Sequence, residues 1–415
     1  MKVSVIGLGY IGLPTATILA SHQINVIGVD INSHVVNTVN QGKIHIVEPD
    51  LEYLVRAVVQ TGSLKATTQI EESDVFVIAV PTPFKGNHEP DMSYVKSAAK
   101  MISSVLNKGN IVILESTSPV GTTEKMVGWM QEARTDLTFP LFGRDADNFD
   151  IYVSHCPERM LPGNVLRELV DNDRIIGGIT TECAERSKAF YELFVKGSCI
   201  TTDCRTAALS KLVENSFRDV NIAFANELSL ICDKLDIDVW KLIELANKHP
   251  RVNIMRPGPG VGGHCIAVDP WFIVDSAPNE SNLIHISRII NDNKPKFILD
   301  KINSVFNSIN KPLSEISVAC LGLSFKPDID DLRASPAMEI VHSLTVKKLK
   351  KIYVIEPNIS LLPDNLDIHS VELSNIEDGI RFSDVVVILV AHKEFLSIDK
   401  DLLMDKKVVD SIGIT

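Results

Sequence analysis

The stretch KVSVIGLGYIGLPTATILASHQINVIGVD, residues 2–30, decides how the chain folds. A β-branched run leads into a turn with glycines at 7, 9 and 12, an apolar helical segment follows, and a second short strand is closed by Asp30. A GxGxxG triplet alone is a weak signal. Set between a strand and a helix, with an acid ending the next strand, it predicts a β-α-β unit that grips a dinucleotide. The three glycines, Gly7, Gly9 and Gly12, allow the tight turn, the approach of a pyrophosphate to backbone amides, and close packing of helix on strand. Tyr10 and Ile11 lie inside the same turn and count with it as cofactor-binding. Asp30 would hold the ribose hydroxyls and repel a 2′-phosphate, so the expected cofactor is NAD rather than NADP.

The same alternation continues outward. DVFVIAVPTPF (74–84), NIVILESTSPVGTT (110–123) and DIYVSHCPER (150–159) are apolar strands separated by helical patterns, which predicts a doubly wound parallel sheet. Ligands bind beyond the carboxyl ends of such strands. Thr82, Thr117 and Glu158 fall there and are expected to converge on one crevice, although each alone is ordinary turn chemistry. Arg159 and Leu161 follow Glu158 in the same loop and join it as substrate-binding candidates.

Residues 205–247 form a helical pattern without a proline, long enough for a central helical domain and a dimer interface. Within it Lys211, Asn215 and Arg218 sit at i, i+4 and i+7 and share one face. Leu212, Val213, Phe217 and Val220 flank that stripe, which predicts that it is screened from solvent. ISVACLGLSFKP (316–327), KIYVIEPN (351–358) and DVVVILVAH (384–392) then repeat the strand logic of the first domain without a full GxGxxG. This second turn should take a different ligand, with Lys326 and Arg333 as its cations. The expected fold is α/β, two Rossmann-like doubly wound domains joined by a long central helical domain, with boundaries at 1–200, 201–300 and 301–415.

Between the helical and second α/β regions stands PGPGVGGHCIAVDP, residues 257–270. Glycines at 258, 260, 262 and 263 exclude regular structure and let backbone come close to a neighbour. Cys265 in such a loop is either a small packed residue or a nucleophile, and Asp269 follows four residues later.

Bulk properties narrow the function. A net charge of −12 argues against nucleic acid or an anionic membrane as partner. The seven scattered cysteines show no CxxC pair, and the histidines no metal-ligand spacing, so a reducing cytoplasm without a metal site is expected. No run of 18 apolar residues suggests a membrane span, and the first residues read as a strand rather than an export signal. A nicotinamide cofactor beside a thiol suggests four-electron chemistry: an alcohol becomes an aldehyde, Cys265 captures it as a thiohemiacetal, and a second oxidation gives a thioester that water releases. Lys211 and Asn215 would stabilise the oxyanion, Asp269 would assist with protons, and Glu158 would handle water. A two-electron hydroxy-acid dehydrogenase shares the first domain but needs neither Cys265 nor a second Rossmann-like domain; a non-catalytic NAD sensor needs none of the set.

GLGYIGLP, VPTPF, STSPVGTT, PERMLPG, KLVENSFRDVNIAFANEL, GPGVGGHCIAVDP and FKPDIDDLRASPA occur in the order of the UDP-glucose/GDP-mannose dehydrogenase family, which the chain resembles over nearly its whole length. IHIVEPDL and GGHCIAVDPWFIV look like its bacterial UDP-N-acetylmannosamine branch. The UDP-glucose branch usually places serine and lysine where His264 and Val268 stand here. The resemblance implies oxidation of a UDP-sugar at C6 with two NAD, in a homodimer built on the central helix. Cys265 is then the nucleophile, Lys211 and Asn215 hold the oxyanion, Asp269 assists, and Glu158 and Thr117 handle water. Thr82 and Arg333 go to the cofactor, Arg218, Gly262 and Lys326 to the substrate, and Arg251 reaches the partner subunit's substrate. The implied product feeds a surface polysaccharide such as enterobacterial common antigen or a capsule. UDP-N-acetylglucosamine, its galacto epimer and UDP-glucose stay open as substrates.

Overall fold

The computed structural model describes residues 1–415 other than 47, 87, 145–147, 161–162, 264 and 367. Its backbone gathers into two compact units, Met1–Glu214 with Asp275–Ala277, and Asn215–Val274 with Pro278–Thr415.

The first unit contains strands β1 (Lys2–Ile6), β2 (Asn25–Val29), β3 (Leu64–Thr67), β4 (Val75–Ile78), β7 (Ile111–Leu114), β8 (Tyr152–His155), β9 (Arg174–Gly178) and β10 (Cys199–Asp203), besides a small hairpin of β5 (Phe84–Lys85) and β6 (Glu89–Pro90). The sheet order is β10-β9-β8-β7-β4-β1-β2-β3, so the chain reverses its direction of growth between β1 and β4. Side chains alternate between two cores. Val75 and Val77 pack with Leu13, Ala16 and Leu19 of helix Gly12–Ser21, whereas Phe76 and Ile78 pack with Val95, Ala99 and Ile102 of helix Ser93–Ser103. A strand covered on both faces must be apolar at every position, which is why β4 reads VFVI. Each such side chain contributes roughly 1.5–3 kcal/mol by leaving water.

The expectation of a parallel sheet holds for the six strands from β3 to β8 in that order, but β9 runs antiparallel to β8, and β10 follows β9. A parallel return needs a crossover along the sheet face. The connection from β8 to β9 carries the seven-residue helix Val165–Asp171, and β9 starts from the end of the sheet at which β8 leaves it.

The helical pattern at 205–247 resolves into two helices rather than one. Cys204–Leu235 is a single 32-residue helix in which the boundary between the units falls. It stops where Asp236 takes a left-handed φ of 56°. Asp238 then caps Val239–Ala246, accepting the N–H groups of Trp240 at 2.8 Å and Lys241 at 3.2 Å. Aspartates favour both positions, so Asp-Ile-Asp breaks a segment that apolar spacing alone would continue. Helix Asn282–Ser308 leads to a five-stranded parallel sheet of β11 (Ser317–Leu321), β12 (Lys351–Ile355), β13 (Val371–Leu373), β14 (Val385–Ile388) and β15 (Lys407–Asp410), in the order β13-β12-β11-β14-β15. This repeats the growth pattern of β3-β2-β1-β4-β7, as the repeated strand logic predicts.

His155, the last residue of β8, has no exposed surface, and its Nδ1–H donates to the Leu114 carbonyl at 2.8 Å. Among the described residues its Nε2 has no hydrogen-bond partner. Burial pushes its pKa from 6.5 down to about 4. Between those values the unfolded chain takes up a proton that the native ring refuses, so stability falls as pH drops through this window, by roughly 3 kcal/mol from this group. His155→Asn keeps a donor for Leu114 and should flatten that part of the acid slope, measured as urea midpoint against pH; an unchanged slope would deny His155 the role.

Candidate active site

The glycine turn has the geometry that a dinucleotide requires. Gly7 has φ +90°, and a Cβ on Gly12 would lie 1.8 Å from the Gly7 carbonyl oxygen. A Cβ on Gly9 would meet nothing within 4 Å, which leaves the space that a pyrophosphate needs. Helix Gly12–Ser21 starts behind Ile11 without a side-chain cap, so its first N–H groups are available to an anion. Tyr10 is exposed on this turn and Ile11 half-buried. Asp30 is oriented by the N–H groups of Leu8 at 2.9 Å and Asn32 at 2.8 Å. These residues fit NAD, with the pyrophosphate at the helix start and the ribose at Asp30.

Thr82, Thr117 and Glu158 follow β4, β7 and β8, which are neighbours in the sheet. Their loops are joined: Ser116 Oγ donates to the Val80 carbonyl at 2.7 Å, and the Glu158 N–H to the Glu115 carbonyl at 3.4 Å. The topology therefore brings these three residues to one edge of the sheet. Thr82 and Glu158 are buried, and Thr117 is half-buried. Glu158 Oε1 accepts the Met160 N–H. Arg159 forms a two-pronged pair with Glu214, at 2.5 Å from Nη2 and 3.2 Å from Nε. Leu161 lies outside the described residues.

Three carboxylates here escape sequence inspection. Glu214 holds Arg159 as just described. Glu48 accepts the N–H groups of Gly163 at 2.9 Å and Val165 at 2.8 Å and so anchors the loop that carries Glu158 and Arg159. Glu115 is buried, takes hydrogen bonds from Tyr191 Oη at 2.7 Å and Thr15 Oγ1 at 3.3 Å, and has its pKa pushed up by burial. IHIVEPDL and the acid at the end of β7 were visible as motifs, but their partners are 76 to 117 residues away.

Lys211 is buried on helix Cys204–Leu235, Asn215 half-buried and Arg218 exposed. The screening expected from their apolar neighbours is only partial. Leu212 is buried, but Val213 and Phe217 are 48% and 65% exposed, because the helix presents them outward. In the second unit Asn215 Nδ2 donates to Asp269 Oδ2 at 2.6 Å. Asp269 is buried at the start of helix Asp269–Ser276, and its N–H donates to the Cys265 carbonyl at 2.9 Å. Cys265 is itself exposed. The structure thus brings Asn215, Asp269 and Cys265 together.

The thiol loop lies against the segment that carries the other predicted cations. A Cβ on Gly262 would fall 2.5 Å from the Ala334 carbonyl oxygen, and one on Gly263 2.8 Å from the Phe325 ring. Lys326 is exposed there, and Arg333, also exposed, pairs with Asp331 at 2.6 Å. Arg251 is exposed in the turn beyond Val239–Ala246.

Three sequence profiles match in succession: the NAD binding domain of the UDP-glucose/GDP-mannose dehydrogenase family over residues 1–195, its central domain over 205–293 and its UDP binding domain over 319–415. The chain belongs to the UDP-glucose/GDP-mannose dehydrogenase family. A UDP-N-acetyl-D-mannosamine dehydrogenase of Campylobacter jejuni is 59% identical over 402 residues, covering 96% of this chain and 97% of that one. An NDP-N-acetyl-D-galactosaminuronic acid dehydrogenase of Ralstonia nicotianae is 57% identical over 412 residues, covering 99% and 96%. Among solved structures, the UDP-D-ManNAc dehydrogenase of Pyrococcus horikoshii matches with a TM-score of 0.87 and 38% identity over 100% of this chain and 96% of that one. The chain is therefore an NAD-dependent oxidoreductase of UDP-sugars, as its family resemblance implies.

The glycines separate folding from cofactor binding. Gly12→Ala should yield little folded protein, since its methyl group would overlap the Gly7 carbonyl. Gly9→Ala should fold normally, with the KM for NAD raised by about tenfold or more and the KM for the sugar nucleotide little changed. Thermal melts with and without NAD, beside steady-state kinetics, check both outcomes.

Proposed function

We propose that the chain oxidises the C6 hydroxymethyl group of UDP-N-acetyl-D-mannosamine to a carboxylate, in two two-electron steps joined by a thiohemiacetal on Cys265, the second of which leaves a thioester that water cleaves. NAD, when bound, accepts one hydride in each step. One water and two NAD are consumed per sugar, and two NADH, three protons and the uronate leave. The supporting observation is the exposed Cys265 on a loop whose Asp269 is bonded to Asn215.

Each residue then has a task. Lys211 and Asn215 donate to the substrate oxygen as it gains negative charge, an effect commonly worth ~10²–10³ in rate per donor. By accepting one N–H of the Asn215 amide, Asp269 leaves the other for that oxygen. The sulfur of Cys265 bonds to the aldehyde carbon and makes it tetrahedral, so that a hydride can leave again. Glu158 and Thr117 hold the water that cleaves the thioester and restores the thiol. Thr82 and Arg333 serve the cofactor, and Arg159, Leu161, Arg218, Arg251, Gly262 and Lys326 the sugar nucleotide. The supply of NAD and UDP-sugars favours the cytoplasm as the place of action.

The mannosamine substrate is supported by the name of the Campylobacter relative, and a galactosamine-type sugar by that of the Ralstonia relative. With purified enzyme, kcat/KM should be highest for UDP-N-acetyl-D-mannosamine in a panel that includes UDP-N-acetylgalactosamine, UDP-N-acetylglucosamine and UDP-glucose. The wild type should make two NADH per sugar with no free aldehyde. Cys265→Ala should lose uronate formation while it still binds NAD and the sugar nucleotide. Cys265→Ser should accumulate an ester adduct visible by intact mass, because an oxygen ester hydrolyses more slowly than a thioester. Uronate formed by Cys265→Ala at near wild-type rate would overturn the covalent route.

We also infer a homodimer through helix Cys204–Leu235. Val213, Phe217, Phe224, Ile231 and Leu235 form an exposed apolar stripe along it, each between 47% and 65% exposed. Light scattering should give the mass of a dimer for the wild type and of a monomer for Phe217→Glu. A fully active monomeric wild type would remove the interface and the role of Arg251 across it.

A further inference from the structure

The thiol loop is tied at both ends to one helix. At its far end Asp269 accepts the Asn215 amide at 2.6 Å. At its near end the Gly258 N–H donates to Asn226 Oδ1 at 2.9 Å. Asn215 and Asn226 are eleven residues apart on helix Cys204–Leu235, about three turns and ~16 Å, so they point from the same face. Gly258 and Asp269 are also eleven residues apart, a length that could reach ~36 Å if extended. The loop is thus folded back on itself between two anchors.

The near anchor has its own support. Asn226 Nδ2 donates to Asn291 Oδ1 at 2.8 Å. Asn291 Nδ2 in turn donates to Asp219, at 2.8 Å to Oδ1 and 3.1 Å to the carbonyl. Asp219 Oδ1 also accepts Arg288 Nη1 at 2.5 Å, and Arg288 reaches Asp292 as well. Asn226, Asn291, Asp219 and Arg288 are all within 1% of complete burial. So many buried polar groups are expensive compared with apolar side chains of equal volume, so packing alone does not account for them.

The direction of the chain of donors explains what the network does. A carboxylate paired with arginine only accepts, so Asn291 must turn its NH₂ towards Asp219 and its oxygen towards Asn226. Asn226 must then turn its own NH₂ to Asn291, which leaves its oxygen facing the loop. The buried ion pair thereby dictates an acceptor at the place where Gly258 presents its N–H. Gly258 has no side chain with which to hold itself there.

We propose that Asn226 is a positioning residue for the Cys265 thiol, acting through Gly258 and oriented by Asn291, Asp219 and Arg288; this rests on Cys265 being the nucleophile. Asn226→Ala frees the near end of the loop and leaves the far anchor, Asn215 to Asp269, and the Cys265 side chain chemically unaltered.

The test uses the full-length enzyme with UDP-N-acetyl-D-mannosamine, or the best substrate of the panel, NAD and iodoacetamide. Asn226→Ala should lower kcat by about tenfold or more, keep the KM for NAD within about threefold, and change the rate of Cys265 alkylation and its pH midpoint. Asn293→Ala, at an exposed asparagine on helix Asn282–Ser308, should match the wild type in all three. If Asn226→Ala does not fold, Asn226→Ser, too short to span both partners, is measured in its place with the same expectation. A variant that melts at lower temperature but keeps the wild-type kcat and alkylation profile would show that Asn226 is structural only and overturn the proposal. A wild type that stays active after Cys265 is alkylated would instead overturn the nucleophile, and the positioning role with it.

Discussion

A segment with glycines at 258, 260, 262 and 263 cannot hold a thiol in place by its own backbone preferences, because glycine loses more freedom on ordering than any other residue. The glycines are nevertheless required. Gly262 and Gly263 lie so close to Ala334 and Phe325 that a Cβ on either would overlap them. Close approach and weak intrinsic order come together, and order must be imported from rigid neighbours. Helix Cys204–Leu235 supplies it through side-chain amides, Asn215 to Asp269 and Asn226 to Gly258. An asparagine suits this task because it can donate and accept at once and loses little rotamer freedom when buried.

The two Rossmann-like sheets show how one topology is tuned to different ligands. Asp30 after β2 and Glu356 after β12 occupy corresponding places, and each accepts an N–H from the opposite turn, Leu8 at 2.9 Å and Leu323 at 2.7 Å. Asp30 is half-buried beside the glycine turn. Glu356 is buried and also accepts the Ser324 N–H and His392 Nε2. Burial would raise its pKa, but the hydrogen bonds from His392, Leu323 and Ser324 outweigh burial and hold it below the usual carboxylate value. Its oxygens are spent on structure. The helices differ in the same sense: Gly12–Ser21 starts uncapped, whereas Pro336–Thr345 starts with Ser335 Oγ accepting the N–H groups of Ala337 and Met338. The first turn keeps its donors for a pyrophosphate, and the second satisfies them internally.

What could be read from the sequence follows from how far apart the interacting groups lie. The β-α-β unit at the start is encoded within 30 residues by glycine sterics, β-branched spacing and one acid, and the structure reproduces it. Cys265, Asp269 and Asn215 were legible as chemical types, because a thiol among glycines and an amide in register with a lysine on one helix face stand out from their surroundings. Their mutual contact was not legible: 54 residues separate Asn215 from Asp269. The break at Asp236 was written locally, yet apolar spacing on both sides masked it. The antiparallel direction of β9 has no local mark, because RIIGG suits a strand of either direction. Glu48, Glu214 and Asn226 lie within quoted motifs, but nothing in those motifs says what each one holds. Each gains its task from a partner that folding delivers, a backbone N–H for Glu48 and Asn226 and a guanidinium for Glu214. A backbone N–H is present at every residue except proline, so no residue pattern marks which one will need an acceptor. The side chains that the proposed chemistry uses are visible as types, whereas their hydrogen-bond partners are visible only once the chain has folded.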